Sequence, residues 1–272
     1  MKHRAAVAVI VAMILLTIVT GCSRGQQPGQ GATGSSITLA GSTSVQPFAE
    51  SLAEEYMAEH PGNSINVQGG GSSAGVRAAQ SGAAEIGMLS RELKGDEKAL
   101  KEVVIAYDAI AVVVHPANPL QGLSKAQIQK VFDGEIKNWA ELGGSNHQIH
   151  VVTREEGSGT RGAFDELIMG KSEVTPWALV QDSNGSVRET VKGDRYAIGY
   201  VSLGLVDPSV KAVAVDGVIP SIAAVTKKQY AIVRPFLYVT TTEPQGLAKL
   251  FIDFVLGPGQ QMLQREGLVP AK

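Results

Sequence analysis

Residues 151–164 read VVTREEGSGTRGAF, which is a β-branched run, a turn rich in glycine and hydroxyl residues, and a run with helical apolar spacing. This order predicts a strand ending at Arg154, a tight turn at residues 157–160, and a helix directly after it. The amino end of a helix presents free backbone N–H groups and the positive end of the helix dipole. The segment therefore predicts a place where an anion can bind.

Two further turns have the same character. Residues 41–44 (GSTS) and 71–73 (GSS) also lie between a predicted strand and a predicted helix. The alternation of strands and helices from residue 37 onward predicts an α/β fold with a mostly parallel sheet covered on both faces. Ligands of open α/β sheets bind at the carboxyl ends of the strands, so the three turns predict one anion site in a cleft. The alternative is that each turn only caps its helix.

Two arginines strengthen the anion hypothesis. Arg91 follows the third predicted strand and Arg154 precedes the third turn, and either guanidinium suits paired hydrogen bonds to an oxyanion. The alternative for each is a salt bridge, for example between Arg154 and Glu156.

The chain is predicted to form two α/β lobes. Lobe 1 comprises residues 37–115 together with 233–272, and lobe 2 comprises residues 116–232. The first crossing between the lobes is predicted at residues 115–119, where HPANP interrupts the pattern, and the return crossing within residues 213–235.

The N-terminus predicts export. Lys2 and Arg4 precede an apolar run at residues 5–19, and Gly21 stands directly before Cys22, the sole cysteine. Residues 1–21 are interpreted as a signal peptide, with Cys22 as a lipid-modified N-terminus that holds the protein to the outer face of the cell membrane. Residues 22–36, rich in Gly, Gln and Ser, are interpreted as a flexible tether. The alternative is a plain signal peptide with an incidental cysteine.

Composition argues against nucleic-acid binding, because the formal net charge is −2 and the 5% of aromatic residues are not interleaved with basic ones.

A serine hydrolase is an alternative to an anion-binding protein. G71-S-S-A-G75 fits the G-x-S-x-G pattern with Ser73 as nucleophile, and His115, His147 and His150 are the candidate bases.

Six stretches resemble one known family: AGSTSVQP, GGGSSAGV, EIGMLSREL, IQKVFDGEIKNW, VVTREEGSGTRGAF and AIGYVSLG. From about Ile37 to the C-terminus the chain resembles the short form of the phosphate-binding lipoproteins of bacterial phosphate ABC transporters. The resemblance implies a type II periplasmic-binding-protein fold, in which two mixed sheets flanked by helices are joined by a hinge of two crossings. It also implies a monomer without catalytic activity, metal or cofactor, which closes on inorganic phosphate and delivers it to permease subunits served by a cytoplasmic ATPase.

The resemblance assigns the phosphate contacts to Thr43, Ser44, Ser72, Ser90, Arg91, Arg154, Ser158, Gly159 and Thr160. Glu156 occupies the position of an acidic residue that orients the arginine. Relatives place an aspartate after the third strand to accept a proton from phosphate, whereas this chain has Ser90-Arg91. The proton acceptor is then a serine hydroxyl, Glu156 or a residue that the sequence does not reveal. Binding of another oxyanion, such as sulfate or molybdate, and a surface adhesin or sensor on the same fold stay open as alternatives.

Overall fold

The computed structural model describes residues 34–271. The strands are β1 (Ser36–Gly41), β2 (Ser64–Gln68), β3 (Ile86–Leu89), β4 (Lys101–Val114), β5 (Gly122–Leu123), β6 (His150–Arg154), β7 (Leu179–Gln181), β8 (Ala197–Ser202), β9 (Lys211–Ala212), β10 (Ala214–Val215), β11 (Val233–Thr240) and β12 (Val269–Pro270). The α-helices are α1 (Gln46–Glu59), α2 (Ser72–Ser81), α3 (Lys125–Phe132), α4 (Gly159–Phe164), α5 (Asn184–Gly193), α6 (Ile222–Thr226), α7 (Gly246–Leu256) and α8 (Gly259–Arg265). A π-helical turn at Asp165–Met169 extends α4, and 3₁₀ turns lie at Gly95–Ala99, Trp139–Leu142 and Leu203–Leu205.

One hydrogen-bonded ladder runs through the molecule in the order β2-β1-β3-β11-β4-β8-β6-β7. Strands β1, β2 and β3 are parallel, as are β8, β6 and β7, whereas β11 and β4 run antiparallel to their neighbours. The two predicted sheets are thus joined, because β4 pairs with β11 through its first part and with β8 through its last five residues. Tyr107 and Asp108 both belong to β4, so the strand continues without a break through this charged residue.

Local sequence explains where several helices begin. A capping box starts α3: Ser124 Oγ accepts from the Gln127 backbone N–H, and Gln127 Oε1 accepts from that of Ser124. Such reciprocal bonds satisfy two backbone donors that a helix start otherwise leaves free. Ser158 likewise accepts from the Arg161 N–H at the start of α4, so its side chain serves as a helix cap.

The apolar core is divided on either side of the ladder's centre. Buried apolar residues from 37–106 and 236–268 form one group, and those from 109–232 form the other. Within β4 the change falls between Ala106 and Ala109, several residues before the predicted lobe limit at residue 115, because β4 continues without a break into the second group. The lobe limits themselves stay a prediction. Across residues 34–271, no helix combines the length and the apolar character needed to cross a bilayer.

Candidate ligand-binding site

The three glycine- and hydroxyl-rich turns come together. Ser44, from the turn after β1, lies 2.8 Å from Thr160 at the start of α4, measured between their hydroxyl oxygens. Ser42 Oγ donates to Ser90 Oγ at 2.8 Å, and Ser72 Oγ accepts from the backbone N–H of Ser90 at 3.1 Å. These five side chains are buried, so the convergence predicted from the strand–turn–helix pattern holds in the structure.

Glycine allows the two halves to approach this closely. A Cβ on Gly159 would overlap Ser72 Oγ and lie 2.5 Å from Ser90 Oγ. The backbones also meet, because the Ser73 N–H donates to the carbonyl oxygen of Gly157 at 3.1 Å. Gly71 has a positive φ of 88°, in the left-handed region that favours glycine, which bends the chain into the start of α2.

Arg154 is the central cation of the site and is 1% exposed. Its Nε and Nη2 atoms donate to the two carboxylate oxygens of Glu155, each at 3.0 Å. Nη2 also donates to Thr43 Oγ1 at 3.2 Å and to the carbonyl oxygen of Asp182 at 3.0 Å. Its Nη1 atom is buried and has no hydrogen-bond partner among residues 34–271. An unsatisfied buried donor is unfavourable by about 1–3 kcal/mol, more when charged, so this atom is suited to an added acceptor.

The acidic partner of this arginine differs from the prediction. Sequence reasoning assigned the orienting role to Glu156, and this is wrong, because Glu155 makes the ion pair. The Ser158 N–H bonds to the Glu155 carbonyl and closes a turn whose apex is Glu156-Gly157. Glu156 is therefore exposed at the tip of the turn.

Arg91 is buried near the site but is engaged elsewhere. Its Nη1 and Nη2 atoms donate to the two carboxylate oxygens of Glu97 at 2.6 and 2.9 Å, and Nη2 approaches Ser73 Oγ at 3.4 Å. Partial burial raises the pKa of Glu97, but the hydrogen bonds from Arg91 and from the Lys94 backbone N–H, together with the charges of both residues, outweigh it and hold that pKa below its usual value. The structure therefore realises the salt-bridge alternative for Arg91, whose two terminal nitrogens both bond to Glu97.

A second buried ion pair was missed by sequence reasoning. Arg234 of β11 donates from Nε and Nη2 to Asp108 Oδ2 at 3.0 and 2.9 Å, and both residues are at most 2% exposed. Burial raises the pKa of Asp108 above its ordinary value, although the adjacent charge and hydrogen bonds of Arg234 oppose that rise. The one signal in the sequence was a charged residue inside a long β-branched run.

This pair reaches the site directly. Arg234 Nη2 donates to Ser44 Oγ at 3.1 Å, and Nη1 donates to the carbonyl oxygen of Ser90 at 3.2 Å. Asn184, the first residue of α5, was also missed, and its Nδ2 donates to Ser44 Oγ at 2.8 Å. Its place after Ser183, which caps α5, gives it the appearance of an ordinary helix-start residue.

The arrangement for a serine hydrolase is not assembled. Ser73 Oγ is bonded by Arg91, whereas His150 pairs with Asp194 at 2.6 Å and His147 stacks on Tyr196. The remaining candidate base, His115, accepts from a backbone N–H two residues further on. Within residues 34–271 no cluster of three or more His, Cys, Asp or Glu side chains has the geometry to hold a metal ion.

The site opens to solvent beside Arg154. A cavity of about 440 Å³ is lined by Thr43, Gly70, Glu155, Asp182, Ser183 and Ser186. Both halves contribute to this lining, and two of its residues, Thr43 and Glu155, bond to the buried Arg154.

A cleft between two α/β halves, with hydroxyls from both halves and the buried Arg154 beside it, is typical of the class of two-lobed solute-binding proteins. Residues 26–258 match the family model described as a PBP superfamily domain. The chain is 33% identical over 255 residues to the phosphate-binding protein PstS of Bacillus subtilis, covering 91% of this chain and 83% of that protein. It belongs to the family of phosphate-binding proteins of phosphate ABC transporters.

Solved structures agree. A Clostridium perfringens structure with bound phosphate, described as that of a phosphate ABC transporter substrate-binding protein, superposes with a TM-score of 0.85. It is 45% identical and covers 87% of this chain and all of its own. An ABC-type phosphate transport receptor from Vibrio cholerae has a TM-score of 0.73 and 37% identity, with coverage of 87% of this chain and 100% of its own. These likenesses confirm the predicted two-lobed periplasmic-binding-protein fold.

Proposed function

We propose that this chain captures inorganic phosphate in the cleft between its halves, outside the cytoplasm, and delivers it to the permease of an ABC transporter. The observation that carries the proposal is the buried Arg154, whose Nη1 has no partner among the described residues and which bonds to Thr43 across the cleft. A buried guanidinium with a donor to spare suits an oxyanion, because charge-assisted hydrogen bonds are about twice as strong as neutral ones.

The proposed contact set is drawn from both halves. It comprises the hydroxyls and backbone N–H groups of Thr43, Ser44, Ser72, Ser90, Ser158, Gly159 and Thr160, together with the guanidinium of Arg154. The direct bond between Ser44 and Thr160 supports this set, since one ligand oxygen can accept from both hydroxyls. Arg91 is left out because Glu97 occupies both of its terminal nitrogens.

The mechanism is reversible, non-covalent capture. In the proposed cycle the two halves separate to admit phosphate and close on it about the strands β4 and β11, as hinged binding proteins do. Closure then presents the permease with a surface that differs from the open form. We further propose that Cys22 carries the lipid anchor and that the protein acts as a monomer. Cys22 lies outside the described residues.

Calorimetric titration with phosphate and then with sulfate tests the proposal. We expect phosphate binding in the micromolar range or tighter, which corresponds to about 8 kcal/mol or more. Sulfate binding of equal strength would favour the broader oxyanion-binding alternative, which the presence of Ser90-Arg91 in place of the relatives' aspartate supports. A protein that binds neither ligand would contradict the proposal and favour the adhesin or sensor alternative.

A further inference from the structure

The hydroxyl of Ser44 is held by two donors. Asn184 Nδ2 lies 2.8 Å from Ser44 Oγ and Arg234 Nη2 lies 3.1 Å from it. A guanidinium can only donate, so the direction of the second bond is fixed. The amide of Asn184 is fixed as well, because its Oδ1 accepts the backbone N–H of Ser202 at 3.2 Å and so turns Nδ2 towards Ser44.

Counting lone pairs then fixes the polarity of this hydroxyl. A serine oxygen has two lone pairs and one proton. Arg234 and Asn184 use both lone pairs, so only the proton is left for a third neighbour. That neighbour is Thr160 Oγ1 at 2.8 Å, in the opposite half of the molecule. Ser44 therefore donates across the cleft.

The two donors are themselves held in place. Asp108 Oδ2 accepts from Arg234 Nε and Nη2, and Ser202 Oγ donates to Asp108 Oδ1 at 2.9 Å. Asp108, Ser202 and Arg234 are buried, so reorienting either donor to Ser44 would break several bonds at once. Buried networks of this kind fix one geometry because a half-satisfied arrangement is costly.

We propose that Arg234 and Asn184 are positioning residues for ligand selection, with Asp108 holding Arg234. They set Ser44 as an obligatory hydrogen-bond donor, so the position facing Ser44 takes an unprotonated oxygen of the bound oxyanion. A protonated oxygen placed there would bring two protons together and leave both unpaired. The inference rests on the proposed function of oxyanion capture in this cleft.

Substitution of Ser44 by alanine tests whether the Ser44 hydroxyl donates a hydrogen bond to the bound anion or accepts one from it. Phosphate and sulfate are compared at mildly alkaline pH, where both are dianions and only phosphate carries a proton. A donor serves both ligands equally, so Ser44→Ala is expected to lower both affinities by the same factor, on the order of tenfold. Loss of phosphate affinity alone would show that Ser44 accepts the phosphate proton, and would overturn the inference.

Reversal of the donor at residue 184 tests the positioning role. Asn184→Asp keeps the size of the side chain and an acceptor for the Ser202 N–H, but it replaces the Nδ2 donor with an oxygen. The proton of Ser44 then turns towards residue 184, and a lone pair faces the ligand. The ratio of phosphate to sulfate affinity is expected to rise about tenfold, because only phosphate can donate to that lone pair.

The added charge in Asn184→Asp repels both dianions, so the affinity ratio isolates the effect of the proton. The control is the double variant Ser44→Ala/Asn184→Asp, in which the ratio is expected to match that of Ser44→Ala alone. Sulfate affinities are taken from displacement of bound phosphate, so that weak binding is still measured. An unchanged ratio in a folded Asn184→Asp protein would overturn the positioning role.

The failures are distinguishable. A native protein that binds neither ligand removes the proposed function and this inference with it. A native protein that binds phosphate, combined with a phosphate-specific loss in Ser44→Ala, removes this inference alone. Thermal unfolding reports whether each variant is folded, and if Asn184→Asp is not, Ser44→Ala decides the matter by itself.

Discussion

Arg154 and Arg91 look alike in the sequence, since each stands at the carboxyl end of a buried strand, yet the structure uses them differently. Glu97 meets Arg91 end-on and takes both terminal nitrogens. Glu155 meets Arg154 side-on, at Nε and Nη2, and leaves Nη1 without a partner. The side of the guanidinium that the carboxylate takes therefore decides whether an arginine braces the fold or keeps a donor for a ligand.

The largest expected effect is the loss of Arg154. Arg154→Ala is predicted to weaken phosphate binding at least about 100-fold, because a charge-assisted bond in a desolvated cleft contributes on the order of 2–4 kcal/mol. Arg91→Ala is the matched control, since it also removes a buried arginine. Titration calorimetry is expected to give it a phosphate affinity within about threefold of the native protein, with a lower melting temperature. Equal losses of phosphate affinity in the two variants would contradict the different roles of Arg154 and Arg91.

The parts of the site that could be predicted from sequence are the local ones. Glycine, serine and threonine predict the turns between strands and helices, because backbone conformation and helix capping depend on neighbouring residues. Ligands of open α/β sheets bind at the carboxyl ends of the strands. This rule, applied to those turns and strand ends, predicts one cluster that contains Ser44, Ser72, Ser90, Arg154 and Thr160.

Contacts between distant segments could not be predicted in this way. Asp108 and Arg234 are 126 residues apart in the chain, and Asn184 and Ser44 are 140 apart. Each looks unremarkable in its own segment, and only the pairing of β4 with β11 brings the first two together. The choice of Glu155 over Glu156 was hidden for a different reason. It depends on where a turn has its apex, which adjacent glutamates do not reveal.

A smaller loss of phosphate affinity is expected from a substitution at Gly159, where the turn after Arg154 packs against Ser72 and Ser90. Gly159→Ala introduces a Cβ that would overlap Ser72 Oγ, so the halves cannot approach fully. We predict a fall in phosphate affinity of roughly tenfold to 100-fold, because displacing packed groups is destabilising by about 1–3 kcal/mol. Gly157→Ala is the control: the nearest atom to its Cβ would be Ser73 Cβ at 3.9 Å, an ordinary contact. Similar affinities for the two variants would mean that the close approach at Gly159 is not needed for binding.

The smallest effect distinguishes the two neighbouring glutamates. Glu155→Gln weakens the side-on pair that holds Arg154, and we expect phosphate affinity to fall by about threefold to tenfold through the loss of a charged hydrogen-bond partner. Removing a negative charge near an anion acts in the opposite direction, but the Glu155 side chain is 33% exposed, so solvent screens much of that gain. Glu156→Gln carries the same charge change at the exposed apex, and titration is expected to give an affinity within about twofold of native. A larger loss for Glu156→Gln than for Glu155→Gln would return the orienting role to the residue that the sequence resemblance first indicated.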